Sequence, residues 1–89
     1  MASVVFTENI QRHVHCPACE VGGQTVCQVL ESVFVDNERI RGYILDDQGG
    51  LRRHVIVFVD GRAIRDRENL TDPVSENAEV FVMQALSGG

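Results

Sequence analysis

The sequence ends in Leu86-Ser87-Gly88-Gly89, and this end carries the residues best suited to chemistry. Two consecutive glycines have no side chains, so such a segment can extend and enter a narrow slot. The last glycine also bears a free α-carboxylate. A carboxylate on a slender stalk is typical of a carrier whose own C-terminus reacts, so we predict that Gly89 is the point of chemistry. The alternative is a solvated chain end without function.

A second group of reactive side chains lies near the start of the chain and comprises His13, His15, Cys16 and Cys19. Two thiolates with one or two imidazoles are a feasible tetrahedral zinc set. A lone Cys-x-x-Cys lacks the second pair of a dependable zinc motif, and a redox Cys-x-x-Cys usually opens a helix in a β-α-β unit. We therefore expect a structural role and no bound metal. Zinc ligation and redox or persulfide chemistry remain the alternatives.

Several other polar groups have simpler interpretations. Arg52 and Arg53, followed by His54, are candidate contacts with a partner or a phosphate, with a solvated strand end as the alternative. The acidic pair Asp46-Asp47 lies in a turn-forming cluster and is not expected to act as a pair of catalytic carboxylates. No nucleophile-and-base spacing is identifiable, so we predict a protein that is not itself an enzyme.

Composition excludes some partners. The 89 residues carry a formal charge of −5, which argues against binding the nucleic-acid backbone and suits a basic protein surface. No apolar run approaches the roughly 20 residues of a membrane span, and no secretion signal is evident. An odd number of cysteines then indicates a reducing, cytoplasmic compartment. All eight basic residues are arginine, so no lysine of this chain is present to attack an activated Gly89.

One helix is strongly predicted. Thr25 occupies an N-cap position with Gln28 three residues later, a capping-box pattern. Five apolar residues then recur at helical spacing and share one face, namely Val26, Val29, Leu30, Val33 and Phe34. The helix is expected to end at Asp36-Asn37, with a short extra turn over residues 38–43.

The remaining segments indicate a mixed sheet. Strands are predicted at residues 3–7, 17–21, 51–59, 62–64 and 79–85, with the polar stretch 8–12 left as a connection. The two-sided apolar run 55–59 is expected in the middle of the sheet. Asp60-Gly61 predicts a hairpin, and Leu70 and Val74 should anchor the polar connector 65–77.

The first and last strands can pair in parallel at the sheet centre. One helix on such a sheet is an α+β solution, the ubiquitin-like β-grasp, with four to five strands. We expect residues 1–85 to form the domain and 86–89 a flexible Gly-Gly tail.

The sequence resembles the ubiquitin-like sulfur carriers of the MoaD/ThiS superfamily. The superfamily includes the small subunit of molybdopterin synthase, the thiamin sulfur carrier and a carrier of cysteine biosynthesis. The likeness covers nearly the whole chain and is carried by a central strand and turn, a connector, a final strand and the tail: residues 57–61, 70–73, 78–82 and 85–89. Residues 51–54 look closer to the cysteine-type carriers than to the molybdopterin subunit, whereas Cys16-Pro17-Ala18-Cys19 departs from the family pattern.

The resemblance implies a chemistry and a set of partners. A ubiquitin-activating-type adenylating enzyme would use ATP to convert the Gly89 carboxylate to an acyl-adenylate. A sulfur source would then replace AMP and leave a thiocarboxylate, which a sulfur-accepting biosynthetic enzyme would consume. The carrier itself would hold no cofactor, and Leu86, Ser87 and Gly88 would contact the partner. The alternatives are a modifier conjugated to target amines through Gly89 and a binding module whose tail is incidental.

Overall fold

The structure, a computed structural model, describes residues 1–12 and 14–84 of the chain. Its elements in chain order are β1 (Ala2–Phe6), α1 (Glu8–Gln11), β2 (Cys19–Val21), α2 (Val26–Asp36), α3 (Glu38–Ile44), β3 (Val55–Val59), β4 (Arg62–Ala63) and β5 (Glu79–Gln84). The strands form one five-stranded sheet in the order β2-β1-β5-β3-β4. The predicted α+β, mixed-sheet architecture is confirmed.

The centre of the sheet is the parallel pair formed by β1 and β5. Val4 lies opposite Val80, and Phe6 lies opposite Val82. The amide of Thr7 extends the pairing by donating to the carbonyl of Val82 at 3.0 Å. The predicted parallel pairing of first and last strands is therefore correct. The strand β3 is one position off centre, between β5 and the short β4.

The helix α2 covers the sheet with the face that the sequence predicted. Its buried residues are Val26, Val29, Leu30, Val33 and Phe34, and they join the strand residues of the inner sheet face in one core. The Thr25 hydroxyl accepts from the amide of Gln28 at 3.2 Å. The Gln28 side chain in turn accepts from the amide of Gln24 at 2.8 Å, one residue earlier than in a standard capping box. No helix within residues 1–12 and 14–84 is long and apolar enough to cross a membrane.

The connector before β5 completes the N-terminus of α2. The first amides of a helix lack partners within the helix. Here the amide of Val26 donates to the carbonyl of Asp72 at 3.0 Å, and that of Cys27 donates to the carbonyl of Leu70 at 2.9 Å. Leu70 has a positive φ of 56° while its side chain is buried. The connector thus anchors in the core, as predicted for Leu70 and Val74, and caps the helix.

Two carboxylates hold the connector in shape. Asp72 accepts from the amides of Arg65 and Asp66 at 3.0 and 2.8 Å. Asp66 accepts from the amide of Asn69 and from the hydroxyl of Thr71. Hydrogen bonds to the charged form lower the pKa of both groups, chiefly the bond from Thr71 to Asp66 and the bond from Arg65 to Asp72. These two aspartates therefore have a structural role.

Two glycines are required by local geometry. Gly23 has φ of 145°, and a Cβ placed on it would lie 2.8 Å from the backbone nitrogen of Val29. A side chain at position 23 would therefore clash with α2, so only glycine allows the chain to turn into this helix. At the predicted hairpin, Asp60 and Gly61 have φ of 51° and 84°, the two positive values of a type I′ turn. Asp60 also accepts from the amide of Glu79 at 2.9 Å, which joins the hairpin to the start of β5.

The structure differs from the sequence prediction at the start of one strand and in two short helices. The strand predicted from residue 51 begins at Val55, because the amide of Val55 donates to the carbonyl of Arg52 and closes a turn. The polar stretch 8–12 contains the one-turn helix α1, which lacks a side-chain cap and is held by fully buried Ile10. The extra turn after α2 is a seven-residue helix, α3. Residue 85, predicted within the last strand, lies outside the described residues.

We expect Leu30→Ala to lower the free energy of unfolding by about 2–5 kcal/mol, because Leu30 is fully buried and truncation leaves a cavity. The matched control is Val35→Ala on the same helix. Val35 is 79% exposed, and its loss should change the free energy by less than about 0.5 kcal/mol. Urea unfolding measures both variants. Equal effects would show that the buried face is misassigned.

The lowered pKa of Asp72 predicts how acid affects stability. We expect Asp72→Asn to destabilise the fold at pH 7, because an amide offers one acceptor oxygen where the carboxylate offers two. The folded state binds the Asp72 proton less readily than the unfolded chain. The stabilising contribution is therefore complete above the unfolded pKa of about 3.9 and is lost as the pH falls through the lowered value.

Urea unfolding at pH 7 and at several acid pH values checks this prediction. The difference between wild type and Asp72→Asn should shrink on acidification. The control is Asp47→Asn, an exposed carboxylate for which the described residues supply no hydrogen-bond donor. A difference that stayed constant with pH would contradict the assignment.

Candidate functional site

The predicted reactive end follows the central strand of the sheet. Gln84 ends β5 and pairs with Val55 of β3. The predicted site residues Leu86, Ser87, Gly88 and Gly89 lie outside the described residues. β5 has hydrogen-bonded neighbours on both sides as far as Val82, and its last residue, Gln84, is held by β3.

A side-chain cluster fixes this point further. The hydroxyl of Tyr43, on α3, lies 2.7 Å from the side-chain oxygen of Gln84 and donates to it. The Tyr43 ring also meets the His54 ring edge to face, with centroids 5.5 Å apart and planes at 80°, a favoured arrangement for two rings. We call Tyr43, His54 and Gln84 the tail-root cluster. Sequence reasoning missed Tyr43 and Gln84, because residues 41 positions apart meet only through the fold.

The two arginines predicted as partner contacts have different surroundings. Arg52 is half-buried, and its side chain donates to the carbonyl of Gly42 at 2.8 Å. The carbonyl of Arg52 accepts from the side chain of Arg67 at 2.9 Å. Arg53, at the corner of the turn, is exposed. Arg52 therefore holds the turn to α3, whereas Arg53 presents its charge outward beside the tail-root cluster.

The outer face of the sheet carries apolar side chains that sequence analysis did not single out. They surround a shallow pocket of about 340 Å³ and comprise Val5, Phe58, Phe81 and Met83. Phe81 is 41% exposed although it lies on the central strand. The signal in the sequence was the unbroken apolar run 80–83, which places Val80 and Val82 inward and their neighbours outward. The apolar outer face therefore includes residues of β5, the strand that precedes the tail in sequence.

The cysteines lie away from Gln84, the last residue of β5, which we call the tail root. Cys19 is on the edge strand β2, and β1 separates this strand from β5. Cys16 is 2% exposed and belongs to the core, and Cys19 and Cys27 are half-buried against it. Burial first, then the proximity of Cys19, raises the pKa of Cys16. Burial first, then Asp36, raises the pKa of Cys19. Both shifts disfavour the thiolate that metal ligation and redox attack require.

The loop that carries these thiols is tied to the helices. The side chain of Asn37 donates to the carbonyl of His15 at 2.8 Å, and Asn37 lines the same surface pocket as Cys16. Within the described residues, no three His, Cys, Asp or Glu side chains are grouped so that they could hold a metal ion. His13, the remaining candidate ligand, lies outside that part of the chain. The described geometry supports a packing role for Cys16.

Comparison with protein families matches residues 17–89 to the ThiS family. The matched region includes β2 to β5 and continues through Gly88 and Gly89. Comparison with curated proteins gives no significant match.

Solved structures share the fold. A chain of the Amycolatopsis orientalis BexX/CysO complex superposes with a TM-score of 0.84 at 20% identity, covering 100% of both chains. Mycobacterium tuberculosis CysO gives 0.81 at 18% identity, covering 97% of this chain and 100% of that one. SAMP1 from Haloferax volcanii gives 0.77 at 19% identity, covering 99% and 98%. At these identities the likeness establishes the β-grasp fold.

We expect the purified protein to contain no stoichiometric zinc, because the pKa values of Cys16 and Cys19 are raised and thiolates are the ligands zinc needs. Elemental analysis of protein made in zinc-supplemented medium tests this. Cys16→Ser and, as the control, Cys27→Ser should both leave the metal content at background. One zinc per chain that disappears only in Cys16→Ser would overturn the structural assignment.

Proposed function

The chain belongs to the ThiS family, and we propose that it is a sulfur carrier whose Gly89 is activated as an acyl-adenylate and converted to a thiocarboxylate. The observation that carries the proposal is the family match over residues 17–89, which includes the Gly88-Gly89 pair. The ubiquitin-like fold supports it, because a compact body with a slender end suits delivery of one terminal group to a partner. The carrier acts as a co-substrate of that partner.

The proposed chemistry has two steps. A Gly89 carboxylate oxygen attacks the α-phosphorus of ATP on an activating enzyme, and the bond to pyrophosphate breaks. The sulfur of hydrosulfide then attacks the acyl carbon, AMP leaves with the bridging oxygen, and a thiocarboxylate remains. If the sulfur comes as a persulfide, the acyl disulfide formed first is cleaved by a second thiol. Activation is needed because a carboxylate is a poor electrophile.

The carrier contributes position to this chemistry. Four residues in extended conformation span roughly 13 Å, which is enough for Gly89 to reach a buried site while the folded body stays outside. Glycines at 88 and 89 keep the segment slender. Leu86 and Ser87 would line the opening of the partner's slot.

The proposal names three partners: an ATP-dependent adenylating enzyme, a sulfur source and a sulfur-accepting biosynthetic enzyme. The superposed Amycolatopsis chain comes from a complex of CysO with BexX, which supports protein partners for chains of this fold. We propose that this carrier works in the cytoplasm, binds neither nucleic acid nor membranes, and holds no cofactor of its own.

A second candidate is a protein modifier joined to target amines through Gly89. The likeness to SAMP1, a small archaeal modifier protein, favours it. Both candidates share the adenylate, and they differ in its fate. A carrier gains one sulfur in place of one oxygen, whereas a modifier becomes covalently attached to another protein. Intact mass of the protein isolated from its own cell distinguishes them.

Deletion of Gly88 and Gly89 should abolish activation, because the remaining carboxylate would stop short of the partner's active site. The deletion should leave the urea midpoint almost unchanged, since terminal residues outside a core stabilise little. Activation is read as ATP–pyrophosphate exchange with the cognate adenylating enzyme, and sulfur gain as intact mass after addition of sulfide.

A bulky residue at position 88 provides a second test. Gly88→Leu should block access to the slot. The matched control is Gly22→Leu, because Gly22 is exposed and a Cβ there would meet nothing within 4 Å. The control should be activated like wild type. Activation of the truncated chain at the wild-type rate would disprove the proposed function.

A further inference from the structure

The register of the sheet shows which charged residues lie beside each end of β5. At its start, Glu79 lies beside Ser3, which in turn lies opposite Glu20. Asp60 binds the amide of Glu79 and adds a third carboxylate. The end of the sheet from which β5 begins therefore carries three carboxylates, together with the guanidinium of Arg62 on β4.

The opposite end of β5 lies beside two arginines. Gln84 pairs with Val55, and the turn before Val55 carries Arg52 and Arg53. Paired Cα atoms lie about 5 Å apart, and two residues span at most about 7 Å. The backbone of Arg53 is thus within about 12 Å of the tail root. On the other side of β5, α1 is followed by Arg12, which offsets Glu8. In a protein with a formal charge of −5, the turn next to Gln84 thus carries two arginines.

The surroundings of Arg53 leave its charge available for contact with a second protein. The side chain of Arg52 donates to the carbonyl of Gly42, and the turn is fixed by Arg67 and by the edge-to-face contact between the rings of Tyr43 and His54. Arg53 is exposed, and its side chain makes no ion pair or hydrogen bond within the described parts of the chain. An unpaired cation on a rigid turn loses little conformational freedom of the backbone when it meets a partner.

We propose that Arg53 is the docking residue of a tail-first encounter, and that it pairs with acidic side chains at the rim of the slot that receives Gly89 on the activating enzyme. This inference rests on the proposed function and replaces the predicted pair Arg52 and Arg53 with Arg53 alone. The acidic start of β5 is repelled by the same rim. The two ends together orient the carrier with its tail toward the slot before contact, which raises the association rate.

The test measures ATP–pyrophosphate exchange by the adenylating enzyme from the protein's own cell, with the carrier and ATP varied separately. Arg53→Glu should raise the KM for the carrier about tenfold at low ionic strength, with kcat and the KM for ATP unchanged. The increase should shrink in high salt, because exposed charges are screened. The matched control is Arg62→Glu. It makes the same charge change on the exposed strand β4. Arg62 pairs with Val59, which pairs with Val80 near the start of β5, so this control lies at the end of β5 opposite to Gln84.

Each outcome has a defined meaning. Arg62→Glu should change the KM for the carrier less than twofold, and both variants should keep the wild-type urea midpoint. Equal effects of the two variants would overturn the proposal and leave the carrier function intact. An increase in the KM for ATP would also overturn it and assign Arg53 to the nucleotide phosphates. If the unaltered chain supported no exchange, the carrier function itself would fail.

Discussion

The parallel pairing of β1 with β5 is the contact on which the rest of this structure depends. It joins the two ends of the described chain, with Ser3 opposite Glu79 and Phe6 opposite Val82. Parallel strands cannot be joined by a tight turn, so the intervening chain must cross over the sheet. That crossover carries α2, whose apolar face covers the inner residues of both strands. Without this pairing, neither the core nor the position of the tail root would be defined.

The connector that leads into β5 links the pairing of β1 and β5 to the N-terminus of α2. Its carbonyls at Leu70 and Asp72 accept the first free amides of α2, and its two buried anchors enter the core. The conformation of Leu70 is costly for a residue with a side chain. The cost is offset where one residue both fills the core and caps a helix. The start of α2 and the approach to β5 are therefore fixed together.

Placing the tail on the central strand has consequences for function. An end attached to an edge strand would fray with that strand, whereas Gln84 is held by β3 and by Tyr43. A partner that recognises the body of the protein would then meet the end of β5 at a defined position. The outer apolar residues Phe81 and Met83 lie on this same strand, and the turn carrying Arg53 lies beside its end. The outer apolar face and the proposed reactive end are thus linked through one strand, β5.

Local patterns made much of the fold predictable. The helical spacing of Val26 to Phe34, the Thr25 cap and the Asp60-Gly61 turn depend on neighbours in sequence, and all three were correct. Predictions failed where distant contacts override local preference. The helix α1 exists because Ile10 finds the core, and β3 begins late because a turn anchored by Arg67 and Gly42 occupies the residues before it.

The candidate site divides in the same way. The chemistry proposed for the tail rests on the sequence, because the Gly88-Gly89 pair and the ThiS family match over residues 17–89 need no fold to be recognised. The sequence also placed two arginines before a strand, without distinguishing them. Only the tertiary structure decided that Arg52 is engaged by Gly42 and that Arg53 is exposed beside the tail root. The reason is physical. Backbone carbonyls that accept from an arginine, and the strand end it lies beside, come from segments distant in sequence and meet only when the sheet closes.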